Sequence, residues 1–215
     1  MPLTCPLCQS THTADFEQDK RRRYFRCDAC SLVFADPACR LSPKEEKAQY
    51  DLHDNAVEDE GYRRFLLRLA DPLLVKLGSA PLDGLDFGCG PGPALAAMLE
   101  ESGHRMALYD PYFVPDPSVL NTSYDFVTCT EAIEHFYMPH KEWGQLLSLV
   151  KPGGWLAIMT KLVIDADAFK CWHYKNDPTH VSFFSRETFC FLADRDGLDV
   201  DFVGNDVILL RKKNQ

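Results

Sequence analysis

Leu85-Asp86-Phe87-Gly88-Cys89-Gly90-Pro91-Gly92 is the stretch that decides the fold. An apolar run of strand length, Gly84–Phe87, ends in three glycines at alternate positions, and helical periodicity resumes from about Pro93 to Ser102 before Gly103 as its C′ glycine. Glycine lets the backbone turn tightly and lets a ligand lie against bare amides, while the following helix start adds partial positive charge for an anionic group. About 20 residues further on, Asp110 closes a second strand, Arg105–Tyr109, where a carboxylate can accept both hydroxyls of a ribose.

The pattern continues outward. Tyr124–Cys129 reads as a third strand, and Pro139–Val150 as a helix with Trp143, Leu146, Leu147 and Val150 on one face. The turn Lys151–Gly154 then leads into a strand at Trp155–Thr160. Ser185 caps a helix running to about Asp194, and two strands near Leu198–Val203 and Asp206–Leu210 end the chain. Strands alternating with helices, then an antiparallel ending, predict an α/β sandwich on a mainly parallel sheet. Upstream, Phe65, Leu66, Leu69, Leu73, Leu74 and Leu77 fall at helical spacing, with Asp71-Pro72 as a point where a helix restarts.

Two cofactor classes use a glycine turn followed by an acid. A dinucleotide fingerprint wants Gly-x-Gly-x-x-Gly, and its last position here is Pro93. Asp-x-Gly-x-Gly-x-Gly instead resembles motif I of class I S-adenosylmethionine-dependent methyltransferases. Tyr124–His135 resembles that family's fourth strand and active-site loop, and Leu149–Ile158 its helix-to-fifth-strand junction, so the likeness covers most of residues 81–215. The ubiquinone-biosynthesis-like O-methyltransferases are the subgroup it is most similar to. The resemblance implies a Rossmann-like fold and S-adenosylmethionine held by Asp86, Gly88, Cys89, Gly90, Gly92, Asp110 and Thr130, with Asp86 supporting the methionine ammonium. The chain departs from the family between Asp110 and Tyr124, where the segment is short, proline-rich and lacks room for the usual third helix and strand. Leu120, Asn121 and Thr122 are the candidates for adenine contact there.

Glu131, Glu134 and His135 stand at i, i+3 and i+4, on one face of a helical turn, and His180 follows in Asp177-Pro178-Thr179-His180. Two carboxylates and two imidazoles suit Mg²⁺ or Mn²⁺, similar to the Glu-x-x-Glu-His site of small-RNA 2′-O-methyltransferases. Without a metal, His135 or His180 serves as general base, with His173 third. Glutamates favoured by a helix macrodipole are the plain reading of the same residues. Trp172–Phe184 reads as a substrate lid or as a packed crossover loop, and Tyr50, Tyr62 and Arg63 as groups closing over the cleft.

At the N-terminal end, Cys5-Pro6-Leu7-Cys8 and Cys27-Asp28-Ala29-Cys30 form two knuckles separated by 18 residues, four thiolates for a structural Zn²⁺. Strands at Arg22–Arg26 and Leu32–Phe34 suggest a zinc ribbon. A rubredoxin-like iron site would have glycines where Gln9 and Ser31 stand. Lys20-Arg21-Arg22-Arg23-Tyr24-Phe25-Arg26 reads either as an RNA-contacting strand or as a solvated basic hairpin.

The 215 residues, 46% hydrophobic and 26% charged, exclude a disordered or collagen-like chain. No apolar run reaches the roughly 18 residues of a membrane span. Met1–Cys5 has neither a basic head nor an apolar core, so cytoplasm is the expected compartment. Net charge is −9; residues 1–40 carry six Lys/Arg against five Asp/Glu, the remainder 17 against 27. An acidic body disfavours extended nucleic-acid binding. The expected organisation is a zinc ribbon at 1–40, a helical connector at 41–80 and a cofactor-binding domain at 81–215. The expected function is methyl transfer to a small-molecule acceptor by a monomer or homodimer. An RNA methyltransferase and a non-catalytic cofactor-binding module are the alternatives.

Overall fold

The computed structural model describes residues 3–52 and 56–214; Met1 and Pro2, part of the stretch expected to lack a leader, lie outside the described residues. In chain order the elements are β1 (Thr13–Gln18), β2 (Arg23–Cys27), β3 (Val33–Ala35), α1 (Pro43–Tyr50), α2 (Glu60–Leu77), β4 (Asp83–Phe87), α3 (Ala94–Glu101), β5 (Arg105–Tyr109), β6 (Tyr124–Thr130), α4 (Pro139–Leu149), β7 (Val150–Met159), α5 (Ala166–Lys170), β8 (Ser182–Phe183), α6 (Arg186–Asp196), β9 (Leu198–Val203) and β10 (Val207–Lys212).

The main sheet has the order β5-β4-β6-β7-β10-β9. β4 pairs in parallel with β5 and β6, β6 pairs in parallel with β7, and β10 runs antiparallel to both β7 and β9. This is the Rossmann-like α/β sandwich expected from the sequence. β4 has its successor β5 on one side and β6 on the other, so its carboxyl end is the topological switch point where α/β sheets open a crevice.

Covering both faces explains the apolar runs. Leu66, Leu69 and Leu73 of α2 and Leu95 and Leu99 of α3 pack on one face with Phe126, Ala157, Val207 and Leu209. On the other face, Trp143 and Leu146 of α4 and Phe189 and Leu192 of α6 meet Val127, Cys129, Ile158, Ile208 and Leu210. Successive residues of β10 therefore serve opposite cores, which is why its sequence does not alternate with polar residues.

α2 is one helix from Asp59, whose carboxylate caps it, to Gly78, so the expected restart at Asp71-Pro72 does not occur. Proline removes one internal hydrogen bond, and the buried stripe Leu66, Leu69, Ala70 and Leu73 on either side of it keeps the helix continuous. β7 likewise begins earlier than expected and runs through the Pro152-Gly153-Gly154 turn, with a register irregularity opposite Tyr124 and Phe126.

The N-terminal strands form a second sheet, β1-β2-β3-β8, whose last strand comes from residues 182–183. Val33 pairs with Phe183 and Phe34 with Ser182. Cys5, Leu7, Cys27, Cys30, Leu32 and Phe34 also share a hydrophobic cluster with Leu85, Phe184 and Phe189. The ribbon is thus built into the rest of the molecule by both backbone and side chains.

Phe126 lies across β4 where Gly84 leaves room: a Cβ there would press on the Phe126 ring and stand 2.6 Å from Met106 Sδ. Gly84→Ala should destabilise the fold by about 1–3 kcal/mol in urea denaturation, whereas Gly144→Ala, a helical position with open space around it, should be neutral or stabilising. Equal stabilities for the two variants would contradict this packing.

Candidate functional site

At the end of β4 the chain turns through Gly88 (φ 78°) and Gly90 (φ 65°), both in the left-handed region. A Cβ at Gly88 would approach Ala132 Cβ to 2.7 Å, so the turn also needs glycine for closeness. The turn is pinned to the end of β5. Gly88 N–H donates to Tyr109 O (2.8 Å) and Gly90 N–H to Asp110 Oδ2 (3.0 Å). Asp110 Oδ1 accepts from the amides of Tyr112 (2.8 Å) and Phe113 (3.0 Å), which fixes the carboxylate and leaves acceptor capacity on Oδ2. Asp86 accepts a hydrogen bond from Thr128 Oγ1 (2.7 Å) and is 4% exposed. Burial pushes its carboxyl up to about 6 against the lowering effect of Thr128, and the charge of Asp110 adds to the rise.

These groups open into one cavity of about 750 Å³. It runs from Asp86, Gly88–Gly92 and Asp110 past Tyr62, Phe65 and Thr130 to Glu131, Glu134, His135, Tyr137, Asp177 and His180. Asp86, Gly88, Cys89, Gly90, Gly92, Asp110 and Thr130, expected at the cofactor, and Glu131, Glu134, His135 and His180, expected at the acceptor, therefore line a single space. Leu120, Asn121 and Thr122 do not; they belong to or follow a short turn at 117–121, and the wall beyond Asp110 is formed by Pro111, Tyr112 and Phe113 instead. Tyr50 and Tyr62 line the cavity as expected, whereas Arg63 turns away to Val57 O and Glu101.

Beyond β6 the backbone differs from the expected helical turn. Glu131 adopts φ 48°, and only Ile133–His135 form a short 3-10 turn, so the i, i+3, i+4 face does not exist. Tyr174 brings the two glutamates together instead: its hydroxyl donates to Glu134 Oε1 and stands 3.3 Å from Glu131 Oε2. Thr160 Oγ1 donates to Glu134 Oε2 at 2.9 Å. Burial raises both carboxyls, and Glu131 raises Glu134 further. Thr130 Oγ1 and Glu131 Oε1 are buried in this wall without a hydrogen-bond partner among the described residues, as suits a site that takes a polar ligand.

The imidazoles of His135 and His180 meet edge to face, 4.7 Å between centroids. His135 Nδ1 lies 3.3 Å from Thr179 O and His180 Nδ1 2.7 Å from Tyr174 O, contacts that place the proton on Nδ1 in each ring. Ligand atoms of Glu134, His135 and His180 fall within 4.8 Å of one another; Glu131 is outside this group. His173 is exposed on Lys161 (2.9 Å) and does not line the cavity. Of the segment Trp172–Phe184, Trp172, Tyr174, Val181 and Phe183 pack with Tyr24, Val33 and Phe169, and only Asp177 and His180 reach the cavity. It is a packed crossover with one edge in the cavity. Sequence reasoning missed Tyr174, Thr160 and Thr128; the only signal was that each hydroxyl sits in, or just after, a strand or loop already singled out.

The four thiols of the knuckles converge, with Cys5 and Cys30 Sγ 3.6 Å apart and Cys8 and Cys27 Sγ 3.4 Å apart. Tetrahedral zinc with 2.3 Å bonds needs about 3.8 Å between sulfurs, so the donor set fits. Gln9 (φ 64°) and Ser31 (φ 60°) take the left-handed conformation that glycine would, and each closes its knuckle with a bond to Cys5 O or Cys27 O. The missing glycines therefore do not separate zinc from iron. Of the basic run, Arg22 is buried and Arg23 pairs with Asp15, while Lys20, Arg21 and Arg26 are exposed.

Residues 52–202 match the family described as "Methyltransferase domain". An O-methyltransferase family protein from Burkholderia thailandensis is similar in structure at 17% identity and TM-score 0.51, over 79% of this chain and 63% of that one. The chain thus spans under two thirds of that protein's length. A candidate sarcosine dimethylglycine methyltransferase from Galdieria sulphuraria is similar at 18% identity and TM-score 0.52, over 73% and 75%. The magnesium protoporphyrin IX methyltransferase of Synechocystis, solved with bound S-adenosylmethionine, gives 14% identity and TM-score 0.49 over 80% and 92%. No curated protein matches by sequence.

The left-handed conformation of Glu131 costs about 1 kcal/mol for a residue with a side chain. Glu131→Gly should therefore change stability to urea by less than that, because glycine's greater freedom in the unfolded chain offsets part of the relieved strain, while altering the site; a loss of more than about 1 kcal/mol would show that the carboxyl's contacts outweigh the strain.

Proposed function

The chain belongs to the methyltransferase-domain family, and from that premise we propose that it transfers the methyl group of S-adenosylmethionine to an oxygen of a small molecule. The observation that supports this reading is the single cavity, which joins the glycine turn and Asp86 and Asp110 to Glu134, His135 and His180 without a lysine or arginine among its lining residues. A polyanionic RNA strand would find no lysine or arginine as phosphate partner there, only seven Asp and Glu side chains.

S-adenosylmethionine supplies an electrophilic methyl group on a sulfonium. The chain's residues do the rest. Asp110 would accept the ribose hydroxyls and Asp86 would face the ammonium of the methionine end, while the Gly88–Gly90 amides, bonded to Tyr109 O and Asp110, keep the turn between them in shape. Thr130 Oγ1 and Glu131 Oε1 have hydrogen-bonding capacity for ligand atoms at the middle of the cavity. His135 and His180 stand at the acceptor end, each oriented by a backbone carbonyl, and either can take the acceptor's proton as the new bond forms. Glu134, held by Tyr174 and Thr160, sits 4.0 Å from His135 Nε2 and steadies the imidazolium that results.

A second reading adds Mg²⁺ or Mn²⁺ at Glu134, His135 and His180. Their mutual spacing within 4.8 Å favours it, although octahedral ligation at about 2.1 Å would draw the ligand atoms to roughly 3 Å apart. A cation there would hold an acceptor with adjacent hydroxyls. Glu131, one of the four ligands expected from sequence, is not part of the group. In the ribbon, Cys5, Cys8, Cys27 and Cys30 hold structural zinc; elemental analysis should find about one zinc per chain, and a Cys27→Ser variant little.

The cofactor end carries its own test. Asp86 must be ionised to face an ammonium, and its carboxyl stands at about 6. Affinity for S-adenosylhomocysteine should be level above pH 7 and fall toward tenfold per pH unit once the pH drops below about 6. Asp86→Asn should bind weakly with no such dependence; a wild-type affinity flat from pH 8 to 5 would contradict the assignment. At the other end, His135→Ala with His180→Ala should abolish transfer to small-molecule hydroxyls and leave S-adenosylhomocysteine binding within about threefold, read by titration calorimetry. Transfer to RNA and to no small molecule would overturn the proposal.

A further inference from the structure

Arg22 lies in the basic run that first suggested nucleic-acid contact, yet it is 7% exposed and points into the molecule. Its guanidinium gathers the backbone of the segment that carries His180. Nη1 donates to His180 O (2.7 Å) and Pro178 O (3.3 Å), and Nη2 to Asp177 O (2.9 Å) and Lys175 O. Nε donates to Tyr24 OH at 3.2 Å. Four carbonyls from six consecutive residues thus converge on one side chain of the ribbon hairpin. Only a planar fork with five donors can satisfy them together, which lysine cannot do.

The same segment is tied to the ribbon at two further places. Lys175, 5% exposed, pairs with Asp19 at 2.7 Å, and Asp19 also accepts from the Arg21 and Arg22 amides across the β1–β2 turn. On the other side, Ala35 N–H of β3 donates to Val181 O and Val181 N–H donates to Glu134 O, both at 2.9 Å. The ribbon strand is therefore two hydrogen bonds from a residue at the acceptor end. His180 is held between these anchors, with its ring 4.7 Å from His135.

We propose that the N-terminal ribbon, which does not itself line the cavity, backs the wall of the acceptor site that carries His180 and that Arg22 is its positioning residue, fixing the 175–180 backbone so that His180 faces His135 and Glu134. The proposal rests on the reading of His135 and His180 as the acceptor end. It assigns the ribbon a role inside the catalytic apparatus rather than in capturing nucleic acid. Arg22 touches neither cofactor nor acceptor; it acts through His180.

The test uses full-length, zinc-loaded Arg22→Met and Arg22→Lys in complex with S-adenosylhomocysteine. ¹⁵N spectra of labelled histidine report each ring's tautomer. His180 Nδ1–H, bonded to Tyr174 O, should be lost or averaged in Arg22→Met and partly restored in Arg22→Lys. His104, which accepts from Leu82 N–H through Nδ1 on the far side of the sheet, should be unchanged. Amide exchange across 173–181 should quicken by about tenfold or more, with S-adenosylhomocysteine affinity within about threefold of wild type because Asp86 and Asp110 are untouched. A His180 spectrum and loop exchange identical to wild type in Arg22→Met would overturn the proposal. Should Arg22→Met not fold, Asp19→Asn, which releases Lys175, decides it: faster exchange confined to 173–181 supports the wall, and unchanged exchange refutes it. Failure of the wild type itself to bind S-adenosylhomocysteine would instead strike the proposed function.

Discussion

The hydrogen bond from Gly90 N–H to Asp110 Oδ2 holds the functional half of the molecule together. It joins the turn after β4, at the topological switch point, to the end of the neighbouring β5. Together with the bond from Gly88 N–H to Tyr109 O it holds the left-handed glycines in one shape, against the large conformational freedom that glycine loses on ordering. With it, the turn, the Asp110 carboxylate and the amides of Tyr112 and Phe113 form one rigid rim. That rim borders the cavity whose lining also includes Glu134, His135 and His180.

The opposite rim is fixed from a different source. Glu134, His135 and His180 come from two segments that neither sheet alone would hold, a strained turn after β6 and a crossover before β8. Tyr174 and Thr160 bind the glutamate from within, and the ribbon clasps the crossover from outside. Buried carboxylates in such a place gain from a positive partner, whether a cofactor's sulfonium, an imidazolium or a cation. No Lys or Arg lines the cavity, and the positive charge that reaches Glu131 from behind it, from Lys161 and Arg68, does not outweigh the effect of burial.

Much of this was legible in the sequence, because the relevant signals are local. The alternation of buried strand, glycine turn and helix is written in residues 84–103, and the Cys-x-x-Cys spacing in residues 5–30. Where the reading went astray, a non-local force decided. Helical spacing at 131–135 was overridden because Glu131 N–H is taken by Met159 O of β7, which pulls the chain into the left-handed region. A continuous α2 prevailed over Pro72 because its apolar stripe is buried on both sides of the proline. Arg22 was unreadable as a core residue because its partners are carbonyls some 153 to 158 residues away in the chain, and carbonyls leave no trace in residue type.

The most direct test is a crystal structure of the protein with S-adenosylhomocysteine. The ribose hydroxyls should lie within about 3 Å of the Asp110 carboxylate, the amino group toward Asp86, and the sulfur facing His135 and His180 across an open space. A nucleoside bound elsewhere, or a sulfur turned from those imidazoles with Asp110 holding only its own backbone, would contradict it.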